Sequence, residues 1–222
     1  MHFSKCSINV TPHMSSVKGS RREKAEATRR KILRAAHAEF VEQGFHGATV
    51  AAIAKRATVA PQTVYFVFGN KPSLISAVID TAVMGEDEPI APEQTPWFAA
   101  MLAEPDAAES LRVFIRGAGE VYQRASRISQ VLRAAALTDE EVESTYKRHE
   151  QLRAVGYRQV AEMLAAKGRL REGLSVDTAT DILLTVYGDT TYHLLTTEHG
   201  WTHDQTIRWL ADSLPRLILA NS

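Results

Sequence analysis

The chain has 222 residues, of which 45% are hydrophobic and 23% charged, so it can form one large or two modest globular domains. Its single cysteine, Cys6, excludes an intrachain disulfide and is typical of a reducing compartment. No run of about 18 or more apolar residues is present, so no membrane span is predicted. The net charge is zero, but the first 71 residues carry 12 Lys and Arg against 4 Asp and Glu, and the remainder carries 14 against 22. This asymmetry indicates that only the N-terminal region binds a polyanion.

The chain begins with a polar stretch, residues 1–19, that lacks the apolar core of a signal peptide. We expect this extension to be disordered, and either Met1 or Met14 is compatible with translation initiation. The first helix is predicted to begin at Ser20, which with a glutamate three residues later forms a capping box. It is predicted to end at Gly44.

Two short helices follow, joined by a tight connection. Thr49 is a suitable N-cap for a helix over about residues 50–57. Pro61, which needs no amide hydrogen at a first helical position, begins a third helix over about residues 61–67. A basic residue, Lys71, then stands at the start of a fourth helix. Such an arrangement places one helix in a DNA groove while its neighbours contact phosphates.

The remaining sequence also repeats at helical spacing, and strand signals are nearly absent. The acidic, proline-rich stretch Gly85–Pro96 is predicted to be a connection between domains. Further helices are predicted from Pro96, from Asp106 to about Arg124 with a second segment to Leu137, from Thr138 to about Lys167, from Ser175 to about Glu198, and from Thr202 to about Ala220. Capping boxes are predicted at Thr138 with Glu141 and at Thr202 with Gln205.

A specific set of residues lies between about positions 25 and 80. They are Ile32-Leu33-x-Ala35-Ala36 with Phe40 and Gly44-Phe45, Thr49-Val50-x-x-Ile53-Ala54 with Ala57, Val59-x-x-x-Thr63-Val64-Tyr65-x-x-Phe68, and Lys71-x-x-Leu74. In order and spacing they resemble the TetR family of bacterial transcriptional regulators. The resemblance implies an all-α fold with a three-helix helix-turn-helix DNA-binding head and a larger helical body for ligand binding and dimerisation. The implied domains are an extension over 1–19, a DNA-binding domain over 20–84, and an effector-binding and dimerisation domain over 85–222.

By position, the resemblance implies that Thr49 lies at the DNA backbone and that Gln62 and Thr63 approach bases. It also implies phosphate contacts for Tyr65 and Lys71. Glutamine can form two hydrogen bonds with an adenine edge, and a threonine methyl can contact a thymine methyl. We therefore predict these five residues as DNA contacts.

Phe66 is also predicted to contact DNA. It neighbours Tyr65 on a very short helix, where the two rings are hard to bury together, so at least one of them should be exposed. Tyr65 could instead be a packed aromatic residue, and Lys71 could be a solvated helix start, although the helix dipole disfavours a cation there. Ala60 departs from the family, which often has serine at this position, and its loss of a cap costs about 1 kcal/mol. The cations Arg21, Arg22 and Lys24 could add DNA contacts.

Two apolar stripes at helical spacing are candidates for a homodimer interface. They consist of Ile207, Leu210, Leu214 and Leu217 in the last helix and Ala179, Leu183, Val186 and Thr190 in the helix before it. Both stripes could equally pack within their own subunit, but the family favours a symmetric dimer. Two heads would then bind half-sites about 34–36 Å apart, or a multiple of that, in a palindromic operator.

Polar aromatic residues in the predicted body suggest a cavity for a small hydrophobic effector. The candidates are Phe114, Tyr122, Tyr146, His149 and Tyr187, although each could be an ordinary core residue. Filling the cavity is expected to move helix 72–84. No cofactor is predicted, and His193, His199 and His203 lack the neighbouring ligands of a metal site.

The leading hypothesis is therefore a cytoplasmic DNA-binding regulator, with repressor favoured over activator by family habit alone. An enzyme is not predicted, because no nucleophile–base pair, paired carboxylates or phosphate-binding loop stands out. A protein that binds DNA without regard to sequence is the other alternative. It predicts a steep dependence on salt and little dependence on sequence.

Overall fold

The structure, a computed structural model, describes residues 15–85, 90–168 and 170–220. Cys6, Met1, Met14 and most of the predicted extension lie outside these residues, as do residues 86–89 of the predicted connection. The described chain has no strand apart from an isolated bridge between Leu170 and Leu219. The all-α prediction is confirmed.

Ten α-helices occur in the described residues. They are α1 (Ser15–Gly47), α2 (Val50–Ala57), α3 (Pro61–Phe68), α4 (Lys71–Met84), α5 (Pro96–Ala103), α6 (Ala107–Ala135), α7 (Glu140–Ala166), α8 (Val176–Val186), α9 (Asp189–His193) and α10 (His203–Ile218). A short 3₁₀ turn spans Pro92–Gln94, and a π turn over Leu194–Glu198 extends α9. Helices α1 to α4 form the head, and α5 to α10 form the body.

Helix α1 begins at Ser15, five residues before the predicted start at Ser20. Adding residues to an existing helix is much easier than nucleating one, so a start placed from a capping motif can be too late. Gly44 ends the regular helix as predicted, with φ 71° in the left-handed region. The chain then turns, and the Phe45 ring stacks on Phe40 at 5.9 Å between centroids.

The turn between α2 and α3 follows the sequence closely. The Thr49 hydroxyl accepts a hydrogen bond from the Ala52 amide at 3.1 Å and caps α2. Thr58 closes α2 with φ 57°, an unusual conformation for a β-branched residue. Pro61 begins α3, and Ala60 before it forms no side-chain cap, as its missing hydroxyl predicts.

The head has no core of its own. Its buried residues on α1 to α4 form one continuous hydrophobic cluster with part of the body, namely Ala125, Ile128, Leu132 and Ala135 of α6 and Val142 of α7. A second cluster fills the rest of the body. Because α6 completes the core of the head, a change along α6 or α4 reaches both regions.

Helix α6 is continuous from Ala107 to Ala135, without the predicted interruption near Arg124. The predicted capping box of Thr138 and Glu141 does not form. Asp139 caps α7 by accepting from the Val142 amide at 3.1 Å, while Glu141 accepts a hydrogen bond from Asn70 of the head at 2.9 Å. The side chains expected to cap α7 are thus available to join the body to the head.

The predicted helix from Ser175 to Glu198 is divided in two. Helix α8 ends at Val186, and α9 begins after Gly188. The Tyr187 carbonyl, at the break, accepts hydrogen bonds from the hydroxyls of Tyr122 and Tyr157, which replace the bonds of a continuous helix. The predicted capping box at Thr202 is formed.

The two stripes predicted to form the dimer interface mostly face the core of their own subunit. Five of their members are buried there, namely Ala179, Leu183, Ile207, Leu210 and Leu214. Only Leu217 and Thr190 are exposed, and Val186 is half-buried. The stripes are therefore the inner faces of α8 and α10, because helical periodicity identifies an apolar face without identifying what covers it.

Candidate DNA interface and effector cavity

Helix α3 buries two residues and presents the others to solvent. Val64 and Phe68, one helical turn apart, pack into the head core. Gln62 is exposed, Thr63 is half-buried, and the exposed fractions of Tyr65 and Phe66 are 53% and 91%. An aromatic side chain as exposed as Phe66 has no packing role in this subunit, so α3 offers an apolar and polar surface to a partner.

Several polar side chains on this surface keep hydrogen-bonding groups that have no partner within the described residues. Neither the Gln62 amide nor the Tyr65 hydroxyl forms a hydrogen bond within the described part of the chain. Exposed Thr49 accepts from a backbone amide, which leaves its own O–H free to donate. These three side chains retain the donors that phosphates and base edges require.

Lys71 has a structural role that the sequence did not indicate. Its ammonium donates to the carbonyls of Phe45 at 2.8 Å and Ala48 at 3.2 Å, and lies 4.5 Å from the centre of the Phe45 ring. These contacts, rather than a phosphate alone, offset the unfavourable dipole at the start of α4. One of the three ammonium donors remains for a phosphate.

Lys55 is a candidate DNA contact that the sequence reasoning missed. It is exposed on the same face of α2 as Ala51 and Thr58 and forms no ion pair within the described residues. Lys55 follows Ala51 by four residues, so the two lie on the same face of α2, which points away from the core. This spacing could have identified Lys55 from the sequence.

The neighbouring cation, Arg56, is instead held by carboxylates of α1. Its guanidinium donates to Glu42 at 2.8 and 2.5 Å and lies 3.2 Å from Glu39. The hydrogen bond from Arg56 lowers the pKa of Glu42. Arg56 therefore fixes α2 against α1, whereas Lys55 is free to bind an anion.

A cavity of about 410 Å³ lies in the body, beside the end of α4. It is bordered by α4, α5, α6 and α7 and by the segment around Pro92. Four of the five predicted effector contacts line it: Phe114, Tyr122, Tyr146 and His149. The fifth, Tyr187, does not, although its ring packs edge-on against Phe114 and Tyr122.

Tyr187 packs behind Phe114 and Tyr122, two residues that line the cavity. Its hydroxyl donates to the Ile115 carbonyl, and its own carbonyl accepts from Tyr122 at 3.1 Å and from Tyr157. Burial raises the pKa of Tyr122 to about 12, so this phenol stays protonated at neutral pH. The hydrogen-bonded tyrosines form a fixed wall.

The cavity also contains charged residues that the sequence reasoning missed. Asp80 of α4 lies 3.0 Å from both Arg148 and His149 of α7. Arg153 lies 2.5 Å from both Asp189 and Glu150. In the sequence these residues resemble the solvated charges of any helix surface, because nothing local shows that α7 turns them inward.

Asp80 connects the cavity to the head-bearing helix electrostatically. Burial alone would raise its pKa, but hydrogen bonds from His149 and Arg148 outweigh this and lower the pKa below its usual value. Nearby, Arg124 of α6 donates to the carbonyls of Ala82 and Val83 at the end of α4. Helix α4 is thus held by polar contacts on both sides of the cavity.

Trp97 forms part of the cavity wall and rests directly on the backbone of α6. A Cβ atom placed on Gly117 would overlap the indole ring, so glycine is required for this approach. The Trp97 and Phe114 ring centres lie 6.2 Å apart. Aromatic rings therefore form this part of the wall.

No metal site was predicted at the three histidines near α9 and α10. His203 lies 2.8 Å from the Tyr192 hydroxyl, and His193 lies 3.3 Å from that of Thr197. No group of three or more potential metal ligands occurs in the residues that the structure describes. A separate finding is that none of the described helices is both long and apolar enough to cross a membrane.

Comparisons with known proteins agree with this geometry. The family described as "Bacterial regulatory proteins, tetR family" matches residues 32–78, which span α2, α3 and much of α1 and α4. An uncharacterised helix-turn-helix regulator of Bacillus subtilis, YdeS, is 29% identical over 190 residues, which is 83% of this chain and 85% of YdeS. Other curated relatives are 43–46% identical, but this chain spans only 28–30% of their length.

Solved structures show the same fold at low sequence identity. NalD of Pseudomonas aeruginosa has a TM-score of 0.65 at 22% identity, over 89% of this chain and 98% of NalD. FadR of Bacillus subtilis has a TM-score of 0.64 at 20% identity, over 84% of this chain and 95% of FadR.

The fold and the exposed surface of α3 define a DNA-binding protein of the helix-turn-helix class. With the family match and the helix-turn-helix relatives, this identifies the chain as a member of the TetR family of bacterial transcriptional regulators. That family is not a class of enzymes.

Proposed function

We propose that this protein is a homodimeric repressor that binds a palindromic operator and leaves it when a small hydrophobic effector fills the cavity. The observation that carries the proposal is the outward surface of α3, where an exposed aromatic ring adjoins unpaired polar groups. Residues 20–84 serve as the DNA-binding domain and 85–222 as the effector-binding and dimerisation domain. The DNA partner implies a cytoplasmic location.

Each side chain of the DNA interface has a distinct role in this proposal. Gln62 and Thr63 contact base edges in the major groove, and Phe66 packs against a thymine methyl or the sugar backbone. Thr49, Tyr65 and Lys71 bind phosphates and set the orientation of the head. Lys55 adds a further phosphate contact from α2.

The position of the cavity supports release by an effector. Four cavity residues, Ile79, Asp80, Val83 and Met84, belong to α4, whose other end packs in the head. A ligand that displaces these residues moves α4 and changes the separation of the two heads. A preference of about tenfold for the DNA-incompetent shape contributes about 1.4 kcal/mol, so decisive release requires several times that.

Two structural neighbours support the roles of repressor and ligand binder. NalD is titled a secondary repressor of a multidrug efflux pump, and FadR was solved in complex with stearoyl-CoA. For this chain, the effector contacts we propose are Phe114, Tyr122, Tyr146 and His149, with Tyr187 positioning them.

The outer faces of α8 and α10 are the proposed dimer surface. On α10, Trp209 and Leu217 are 39% and 41% exposed, so both can contribute apolar area to an interface. Ile182 on α8 is half-buried. A two-fold interface built here keeps Leu217 of the predicted stripes and replaces their buried members.

Selection from a pool of random DNA duplexes tests the proposal. We expect the retained duplexes to share a palindrome whose half-sites are about 34–36 Å apart, or a multiple of that. Addition of an effector to the selected complex should release it. A retained pool without a common sequence, bound with an affinity set only by salt, would instead support the sequence-indifferent alternative.

A further inference from the structure

The charges around the effector cavity are unequal. Its carboxylates are Asp80, Glu93, Glu150 and Asp189, and its arginines are Arg148 and Arg153. Carboxylates outnumber cations even when His149 is counted as protonated. The wall therefore carries a negative potential, which favours a cation inside a partly enclosed space of low dielectric constant.

The two arginines are already engaged. Arg153 is held at 2.5 Å by both Asp189 and Glu150, and Arg148 lies 3.0 Å from Asp80. An anionic ligand at either arginine would lie beside the carboxylates that already pair with it and would be repelled by them, and the Arg153 Nε, which has no partner within the described residues, is buried. A neutral ligand would gain nothing from the excess negative charge.

A carboxylate is available for a cation. Glu93 lines the cavity, is exposed, and forms no hydrogen bond or ion pair within the described residues. Asp80 is 31% exposed at its side chain and faces the same space. These two groups come from opposite ends of the connection between head and body, so a ligand between them contacts both regions.

Aromatic faces provide the second requirement for binding an organic cation. Trp97, Phe98, Phe114, Tyr146 and Tyr157 line the cavity, and the Phe114 and Tyr157 ring centres are 5.3 Å apart. The face of an aromatic ring attracts a cation through its quadrupole and also accepts apolar groups. Aliphatic side chains such as Val121 and Leu132 complete the wall.

We propose that the effector of this cavity is an organic monocation with a hydrophobic body, and that Glu93 and Asp80 receive its charge. This inference rests on the proposed function, because it assigns a chemical class to the ligand of the same site. The apolar body occupies the aromatic and aliphatic part of the wall, and the ammonium or similar group lies towards the two carboxylates.

The same arrangement lets a bound cation influence the head through α4. Asp80 joins α4 to α7 through Arg148 and His149. A ligand cation beside Asp80 competes with both partners and weakens this connection. Release of α4 then follows from the charge of the ligand and not only from its volume.

Three probes with the same phenylpropyl body test the inference by calorimetry on the intact protein. They are phenylpropyl-trimethylammonium, its neutral tert-butyl isostere and phenylbutanoate. We expect the cation to bind at least about tenfold more tightly than the neutral isostere, since a desolvated cation–aromatic contact alone contributes about that factor. We expect the carboxylate to bind no more tightly than the neutral probe.

Substitutions assign the effect to the carboxylates. In Glu93→Gln, and more strongly in Glu93→Gln with Asp80→Asn, the cation-to-neutral affinity ratio should fall, by at least threefold in the double variant. Binding of the neutral isostere shows that each variant is folded. Equal or tighter binding of the neutral or anionic probe to the wild type, or an unchanged ratio in the double variant, overturns the inference.

Operator binding is measured separately, without any probe. If the protein binds no specific operator, the proposed function fails, whereas the probe affinities still decide the charge preference of the cavity. If operator binding is present and the cation is not preferred, only the assignment of the ligand class fails.

Discussion

The head and the body use the same kind of secondary structure in opposite ways. The head turns its candidate functional side chains outward from short helices, and Phe66 is 91% exposed. The body turns its candidate functional residues inward, where the Tyr122 and Tyr157 hydroxyls meet at the Tyr187 carbonyl. DNA has a nearly constant shape, so a surface that binds it follows a fixed residue pattern. A cavity for a small ligand can be lined by many different combinations of residues.

This contrast separates residues that act on a partner from residues that hold the protein together. In the head the two roles are assigned to neighbouring side chains, since Lys55 is proposed to bind a phosphate while Arg56 holds α2 against α1. In the body a single residue such as Asp80 has both roles.

Tyr65→Phe should weaken operator binding by about 10- to 100-fold, because a hydrogen bond to a charged group contributes about 1.5–3 kcal/mol. Fluorescence anisotropy with a labelled operator measures the change. The free energy of unfolding should stay the same, since the hydroxyl has no partner within the described residues. An unchanged affinity would show that Tyr65 is an exposed residue without a role in binding.

Lys71→Met should lower the free energy of unfolding by about 1.5–3 kcal/mol, because it removes charge-assisted hydrogen bonds to Phe45 and Ala48. Lys55→Met, the matched control, should leave stability unchanged and reduce the salt dependence of operator binding by about one counterion per head. Chemical denaturation and salt titration distinguish the two. If Lys55→Met lowered the free energy of unfolding and Lys71→Met did not, Lys55 would have the structural role that we assign to Lys71.

Gly117→Ala should destabilise the body by about 1–3 kcal/mol and weaken binding of hydrophobic probes, because the new methyl group displaces the Trp97 ring. Gly156→Ala is the control on the same cavity. Its Cβ would lie 3.7 Å from the nearest Glu93 oxygen, an ordinary contact, and helix propensity favours alanine by about 1 kcal/mol. Equal effects of the two changes on unfolding would contradict the close packing of Trp97.

Thr58→Gly should stabilise the head by about 0.5–1 kcal/mol, because glycine adopts the left-handed conformation of this residue without strain. Ala51→Gly, at an exposed position of the same helix, should destabilise by about 1 kcal/mol. Thermal or chemical unfolding measures both changes. A loss of stability in Thr58→Gly would mean that the threonine has a compensating interaction.

The sequence predicted the head more completely than the body for physical reasons. Thr49, Pro61 and Gly44 act locally, through a cap, a missing amide hydrogen and a left-handed φ, so their effects could be assigned from neighbours in the chain. The role of Lys71 could not, because its carbonyl partners lie 23 and 26 residues earlier.

In the body, tertiary contacts determine which residues line the cavity and which helix faces are buried, and the sequence alone does not show these contacts. Four of the five predicted aromatic and histidine residues line the cavity, since such side chains favour half-polar walls. The charged lining was missed, because Asp80 and Arg153 acquire their partners only when α4, α7 and α9 come together. Most residues of the predicted dimer stripes pack within their own subunit, because periodicity alone does not distinguish an intramolecular from an intermolecular core.

Sequence-specific binding by this protein requires that α3 places Gln62 against base edges. Selection of operators from random duplexes with the wild type and with Gln62→Ala tests this directly. We predict that the variant loses sequence preference at one position in each half-site, with a discrimination loss of about 1–3 kcal/mol, while the other positions are retained. An identical consensus for both proteins would contradict the claim.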